Sequence, residues 1–260
     1  MDEIFRILSD SCQINYKLSC YESIFPYIKP MYIKPTNDLI KMLANQGYMH
    51  GDVKSILTSP SILKSLSQYW DDLPLDQYLK NNEQFRYRRY RVFEWDEGVL
   101  VKCPVEPHYQ LEAYNTVYGG LYRHYAEIDS SPDLAMLLEG LMIWVLDLIM
   151  STTNHWRIQC HQFRVQATAQ EQGQPTPEGI HQDGADFVFI MLMNRSNVKG
   201  GVSYIYNEKN GPAIYTTTLQ RNEFMMLDDH RYWHSVSNLE PEDESKPAYR
   251  DVLVMTFHRL

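Results

Sequence analysis

Cysteine is scarce in this chain: four residues in 260, at positions 12, 20, 103 and 160, with no Cys-x-x-Cys pair. That scatter argues against a disulfide framework and leaves reduced, mostly structural thiols in a cytosolic protein as the expectation. Positive charge is also in short supply. Lys and Arg number 24 against 33 Asp and Glu, a net charge of -9, so a basic face for general nucleic-acid binding is not expected. A small anionic ligand is still compatible, because a few arginines can dominate one pocket. Long apolar runs are missing. The most apolar stretch, 134–150, contains Glu139 and Asp147 and falls short of the ~20 residues that span a bilayer. It reads as a buried helix, with no membrane partner. No basic segment followed by an apolar core opens the chain, so no secretory signal is expected and the cytoplasm is the expected location. Repeats and low-complexity segments are absent too.

What is present is ordinary for a soluble globular protein: 44% hydrophobic and 22% charged residues. The length suits one large domain over 1–260. Helical and strand support is expected over about 1–150, and a metal-bearing barrel core over about 155–260. Residues 37–47, closed by Gly47, predict a capped helix, and 60–70, entered through Ser59-Pro60, predict another. Residues 85–93 read as extended, with Phe85, Tyr87, Arg89, Arg91 and Phe93 on one face. A long helix from about Asp133 to Met150 follows. Then come candidate strands at 157–168, 186–193, 202–206, 213–218, 223–227, 232–237 and 251–258, separated by turn signals such as Asn210-Gly211-Pro212. Helices first and many short strands afterwards predict a mainly β fold with flanking helices, a double-sheet barrel.

Three residues carry the chemistry. His181 and Asp183 stand two apart in Ile180-His181-Gln182-Asp183-Gly184, and His234 follows in Trp233-His234-Ser235-Val236. In a strand, residues two apart point to one side, so His181 and Asp183 are expected to aim at one ion while Gln182 faces away. His234 lies in an aromatic-flanked stretch suited to a third ligand. Two imidazoles and a carboxylate form the facial set that holds non-haem Fe(II) and leaves three positions open. A lone His-x-Asp is weak; followed by Gly, a strand and a distant His, it is much stronger. His230 is the nearest competitor to His234, but it follows Asp228-Asp229 in a predicted turn. His108, His124, His161 and His258 read as ordinary core or surface residues.

A zinc hydrolase uses the same donor types, so the ligands alone do not choose the metal. Arg250 helps to choose. It heads the apolar run Val252–Phe257, and a buried guanidinium there can hold the far end of a dicarboxylate cosubstrate through two parallel hydrogen bonds. A surface ion pair with Glu244 is the plainer alternative.

These stretches, with Asn194–Gly201, Leu227–His234 and Tyr249–Leu253, resemble the bacterial 2-oxoglutarate/Fe(II) dioxygenases that hydroxylate free L-amino acids, of the L-isoleucine hydroxylase type. The resemblance covers about the last hundred residues well. Upstream it rests on His161–Arg164, Tyr114-Asn115 and the arginine-rich segment 86–91. It implies a double-stranded β-helix, a jelly-roll and cupin-like core. It also implies Fe(II) on His181, Asp183 and His234, and 2-oxoglutarate chelating the iron with its distal carboxylate on Arg250. Dioxygen and an amino acid are then the remaining partners; succinate and carbon dioxide are released. One departure is visible: many members carry a hydroxyl residue two positions after the arginine, where this chain has Val252.

An amino acid needs a cation for its carboxylate and an acceptor for its ammonium. In 160–167, Gln162, Arg164 and Gln166 share one face; His161, Phe163 and Val165 share the other. If the polar row faces the barrel mouth, Arg164 is the first choice for the carboxylate, with Arg86, Arg88, Arg89 and Arg91 as further candidates. Asp186 is the candidate for the ammonium, or else a support for the turn after the ligands. Tyr114 is a candidate pocket wall. Residues 170–178 read as a flexible loop able to close over substrate, or as a plain connector. Three other readings stay open: hydroxylation of a protein-bound or carrier-tethered residue, a zinc-dependent hydrolase, and a non-catalytic barrel that binds a small acid.

Overall fold

The computed structural model describes residues 32–149 and 155–260; Cys12, Cys20 and Met150 lie outside them. Helix α1 (Asn37–Gln46) begins where Thr36 Oγ1 accepts from the Leu39 amide and stops at Gly47, whose positive φ turns its N–H back onto the Leu43 carbonyl. The predicted helix at 60–70 is instead two 3-10 turns, Pro60–Lys64 and Leu66–Trp70. Serines at 59, 61, 65 and 67 favour local backbone contacts over helix continuation. Ser65 Oγ bonds the Ile62 carbonyl at the junction. Leu63, Leu66 and Trp70 remain buried, so the apolar signal was real and the helix type was not. Helix α2 (Pro132–Ile149) matches its expectation.

Twelve strands complete the described fold. They are β1 (Tyr48–Asp52), β2 (Arg86–Asp96), β3 (Val99–Lys102), β4 (His155–Ala167), β5 (Phe187–Ser196), β6 (Val198–Gly200), β7 (Ser203–Tyr206), β8 (Ala213–Thr217), β9 (Glu223–Asp228), β10 (Trp233–Val236), β11 (Leu239–Pro241) and β12 (Ala248–Arg259). Seven form one antiparallel sheet in the order β1-β9-β5-β12-β4-β2-β3, and β10-β7-β8 form a second. Strands β1, β2 and β3, from the half expected to be support, are thus part of the main sheet itself.

The main sheet has two differently used faces. Trp156, Ile158 and Cys160 of β4, Phe189 and Met191 of β5, and Leu253, Met255 and Phe257 of β12 cluster with the apolar residues of α2 on the outside. The opposite face carries Phe163, Val188, Ile190, Leu192, Val252 and Val254, which pack with Ile205 of the smaller sheet. Register fixes which residues share that inner face: Arg88 pairs with Phe163, Val252 with Phe163 and with Leu192, Val254 with His161. The site lies between the two layers at the end where this apolar packing gives way to charge.

Candidate metal centre

His181, Asp183 and His234 converge, each offering one donor atom within 4.8 Å of the others; among the described residues no other such group forms. The local backbone differs from the expected strand. His181 sits in an isolated antiparallel bridge to His234, with amide-to-carbonyl bonds of 3.0 and 2.9 Å both ways, and Asp183 lies in the turn beyond. That bridge crosses from the Gly179–Gly184 segment to β10 and sets the two rings 4.3 Å apart. Asp183 reaches both imidazoles, 3.8 Å from His181 Nε2 and 3.5 Å from His234 Nε2. His230 is exposed and lies against Asp186 instead.

The surroundings orient the candidate donor atoms. His181 Nδ1 lies 3.0 Å from the Gly179 carbonyl; donating there leaves Nε2 with its lone pair toward Asp183. His234 Nδ1 is 3.7 Å from Asp229 Oδ1. Asp229 Oδ2 accepts the Gly184 and Ala185 amides, and Gln182 turns away to donate to the Asp229 carbonyl. Burial alone would raise the Asp183 pKa, but its contact with His234 and the charge on both imidazoles hold it below the usual carboxylate range. The carboxylate is therefore ionised at neutral pH. Burial lowers His234, and the facing Asp183 and Asp229 more than reverse this. An ionised carboxylate and two imidazole nitrogens turned to one point fit a non-haem Fe(II) site.

A cavity of about 250 Å³ opens on His181, Asp183 and His234. Arg250 lines it from β12, 3% exposed, with Nη2 lacking a hydrogen-bond partner among the described residues. Burial, then the charge of Arg195, pulls its pKa down to about 10, which keeps it protonated at neutral pH. Val252, two positions on, also faces the cavity, as does Tyr114, whose ring packs over Gly184.

Two expectations need correction. Arg164 does not reach the cavity: it points outward, bonding Asp251 at 2.7 and 2.8 Å and Asp71 at 3.0 Å. The opposite row, His161, Phe163 and Val165, lines the cavity, because the register places it on the inner face. Asp186 is likewise outside, accepting the Arg259 amide at 2.8 Å and so closing the end of β12. Of the other arginines, Arg86 and Arg88 line the cavity. Arg89 and Arg91 face away, bonding Glu127 and neighbouring carbonyls.

Other cavity residues escaped the sequence reading. Three of the histidines read as ordinary, His108, His161 and His258, line the cavity. Burial and the nearby Arg88 keep His108 and His161 well below the normal histidine value, hence neutral. Gln110 donates to the Asp183 carbonyl and carboxylate at 3.3 and 3.4 Å and is itself held by Asn115. Glu178, at the end of the expected loop, places Oε1 3.3 Å from His181 Nε2. Arg123, in the segment between β3 and α2, is wholly buried against the cavity. Gln110, Glu178 and Arg123 stand in no periodic pattern, so spacing gave no signal for them; His161 and His258 lie on β4 and β12, where alternation alone does not say which row faces inward.

The likenesses to known proteins agree with this geometry. The chain is 28% identical over 206 residues to the 3(1)-hydroxy-L-isoleucine 4-dioxygenase of Pantoea ananatis, covering 76% of this chain and 81% of that one. It is 26% identical over 156 residues to the L-isoleucine-4-hydroxylase of Bacillus thuringiensis, covering 58% and 64%. The crystal structure of a bsmA homolog from Methylobium petroleophilum superposes with a TM-score of 0.74 at 27% identity, over 87% of this chain and 94% of that one. The sequence profile of the 2OG-Fe dioxygenase family matches residues 67–256. With a jelly-roll core and a His-Asp-His cluster facing a buried arginine, this chain belongs to the 2OG-Fe dioxygenases, enzymes dependent on Fe(II) and 2-oxoglutarate.

Proposed function

We propose that this dioxygenase hydroxylates an unactivated C–H bond of a free L-amino acid, with His181, Asp183 and His234 as the iron ligands and Arg250 as the anchor for 2-oxoglutarate. The observation that carries the reading is a buried, partnerless guanidinium, Arg250, in the same cavity as the three ligands. A group so placed is costly unless an anion meets it, and a dicarboxylate bound in this shared cavity would supply one. The names of the two curated relatives, both acting on isoleucine or its hydroxy derivative, support a free amino acid over a protein-bound residue.

When bound, iron and cosubstrate supply the oxidising power: 2-oxoglutarate and O2 are converted to succinate and carbon dioxide as one oxygen atom enters the substrate C–H bond. The chain's own part is placement. Asp183 stays ionised to offset the metal's charge. The Gly179 carbonyl orients the His181 ring, Asp229 places its charge 3.7 Å from His234 Nδ1 without bonding it, and Phe163, Val252 and Val254 give the cavity an apolar wall. The buried free thiols Cys103 and Cys160 suit a reducing compartment, in keeping with a cytoplasmic enzyme.

The test is direct. Protein prepared anaerobically receives Fe(II), 2-oxoglutarate and each of the twenty L-amino acids in turn; air is admitted and succinate measured. Succinate stimulated by at least one amino acid is expected. A panel with no stimulation removes the free-amino-acid reading.

A further inference from the structure

Resting on that reading, we propose that Arg123 is the substrate's carboxylate anchor, a second anion subsite distinct from Arg250 and responsible for selecting free acids. Three arginines other than Arg250 line the cavity, and two of them are engaged. Arg86 pairs with the buried Asp76 at 2.9 Å. Arg88 places Nη2 2.6 Å from His161 and lies 3.8 Å above the Tyr125 ring. Arg89 and Arg91 bond residues away from the cavity. Arg123 alone has neither an ion pair nor a side-chain hydrogen bond among the described residues. It is 2% exposed, its Nε and Nη2 have no partner, and it lines the cavity.

Its position is set rigidly. The Arg123 amide and carbonyl bond the His108 carbonyl and amide, both at 2.9 Å. Two residues beyond His108, Gln110 bonds Asp183. One short ladder therefore ties Arg123 to an iron ligand, as a substrate anchor must be tied to the reacting centre. The neighbouring imidazoles of His108 and His161 are neutral and cannot neutralise it or replace it. Asp76, the buried carboxylate of this cluster, is already shared by Arg86 and Arg88. A guanidinium sequestered without an anion is expensive, and the cavity is where the anion can enter. The reaction brings two anionic ligands, and the cavity holds two partnerless guanidinia.

The experiment compares L-isoleucine, or whichever amino acid is turned over fastest in the panel, with its primary carboxamide. The amide keeps the ammonium and side chain but loses the negative charge. In the unmodified enzyme the acid should be preferred by at least about tenfold in kcat/KM. In R123Q the acid should lose roughly 10- to 100-fold, chiefly through KM, because a charge-assisted pair is removed. The amide should change little, and R123K should recover part of the loss. The KM for 2-oxoglutarate should stay the same, and anaerobic calorimetry on the Fe(II)- and 2-oxoglutarate-loaded protein should show the same loss of acid binding. If R123Q keeps the preference for the acid, loses acid and amide equally, or instead raises the KM for 2-oxoglutarate, this assignment is overturned while the amino-acid reading stands. If no free amino acid binds or reacts in the unmodified enzyme, both fall together.

Discussion

A charged side chain means different things on the two faces of one strand. Arg164 and His161 lie three residues apart on β4, yet one is a buttress and the other a cavity wall. Arg164 holds the buried Asp251 in a two-point contact and stacks 4.2 Å over Tyr249. R164A should therefore cost stability, about 3–5 kcal/mol, since it strands a buried carboxylate. The KM values for amino acid and 2-oxoglutarate should hardly move. Chemical denaturation and steady-state kinetics together check this; a raised substrate KM with unchanged stability would return Arg164 to the pocket. His234 gives the pH dependence. Its folded pKa lies above the ordinary 6.5, so in the metal-free protein its contribution to stability is fully present below pH 6.5 and is lost as pH rises through the folded value. Metal needs the unprotonated ring, so Fe(II) affinity should rise with pH over that same window and then level off. Anaerobic Fe(II) titrations from pH 6 to pH 8.5 should show this trend. Asp183, ionised throughout, should add no slope.

At the scale of elements, the turn between His181 and β5 carries Asp183, and Asp229 holds it through the Gly184 and Ala185 amides. Gly184 has φ of 78°, and a Cβ there would stand 2.6 Å from the Tyr114 ring. Its amide is also held by Asp229. G184A should strain the turn and push against the cavity wall at once, weakening Fe(II) binding about tenfold or more while the main sheet stays folded. Anaerobic Fe(II) binding and far-ultraviolet circular dichroism separate the two effects; unchanged Fe(II) affinity would show that the turn does not tune the site. The His-x-Asp was legible in sequence because a two-residue spacing puts both side chains on one side even in an irregular extended segment. His234 was legible because its neighbours Tyr232, Trp233 and Val236 are those of a buried strand. The facing of β4 was not. Alternation divides a strand into two rows, but which row turns inward depends on what packs outside. Here α2 covers Trp156, Ile158 and Cys160, and the polar residues Gln162 and Arg164 fall on the same outer side. Arg123 was illegible for another reason: its placement comes from a single bridge in an aperiodic segment.

For the molecule as a whole, the charge pattern is inverted between outside and inside. The chain carries a net -9, yet its cavity gathers Arg86, Arg88, Arg123 and Arg250 beside the neutral His108 and His161. Such an interior gives up stability when empty so that anions can bind, the usual tension between a functional site and a stable core. Arg250 shows it most plainly, because burial and Arg195 both work against its charge. Replacing it by an apolar side chain of similar length removes a buried, partnerless charge without opening a large void. R250M should therefore leave the ligand-free unfolding midpoint unchanged or raise it. The native protein, in contrast, should gain stability from Fe(II) and 2-oxoglutarate under argon by mass action, about 2.7 kcal/mol at a hundredfold excess over Kd. In R250M most of that gain should vanish, with the KM for 2-oxoglutarate raised roughly 10- to 100-fold. Thermal unfolding with and without the cosubstrate reads both halves. A lower ligand-free midpoint together with an intact cosubstrate response would mean that Arg250 serves the fold, and that another cation receives the distal carboxylate.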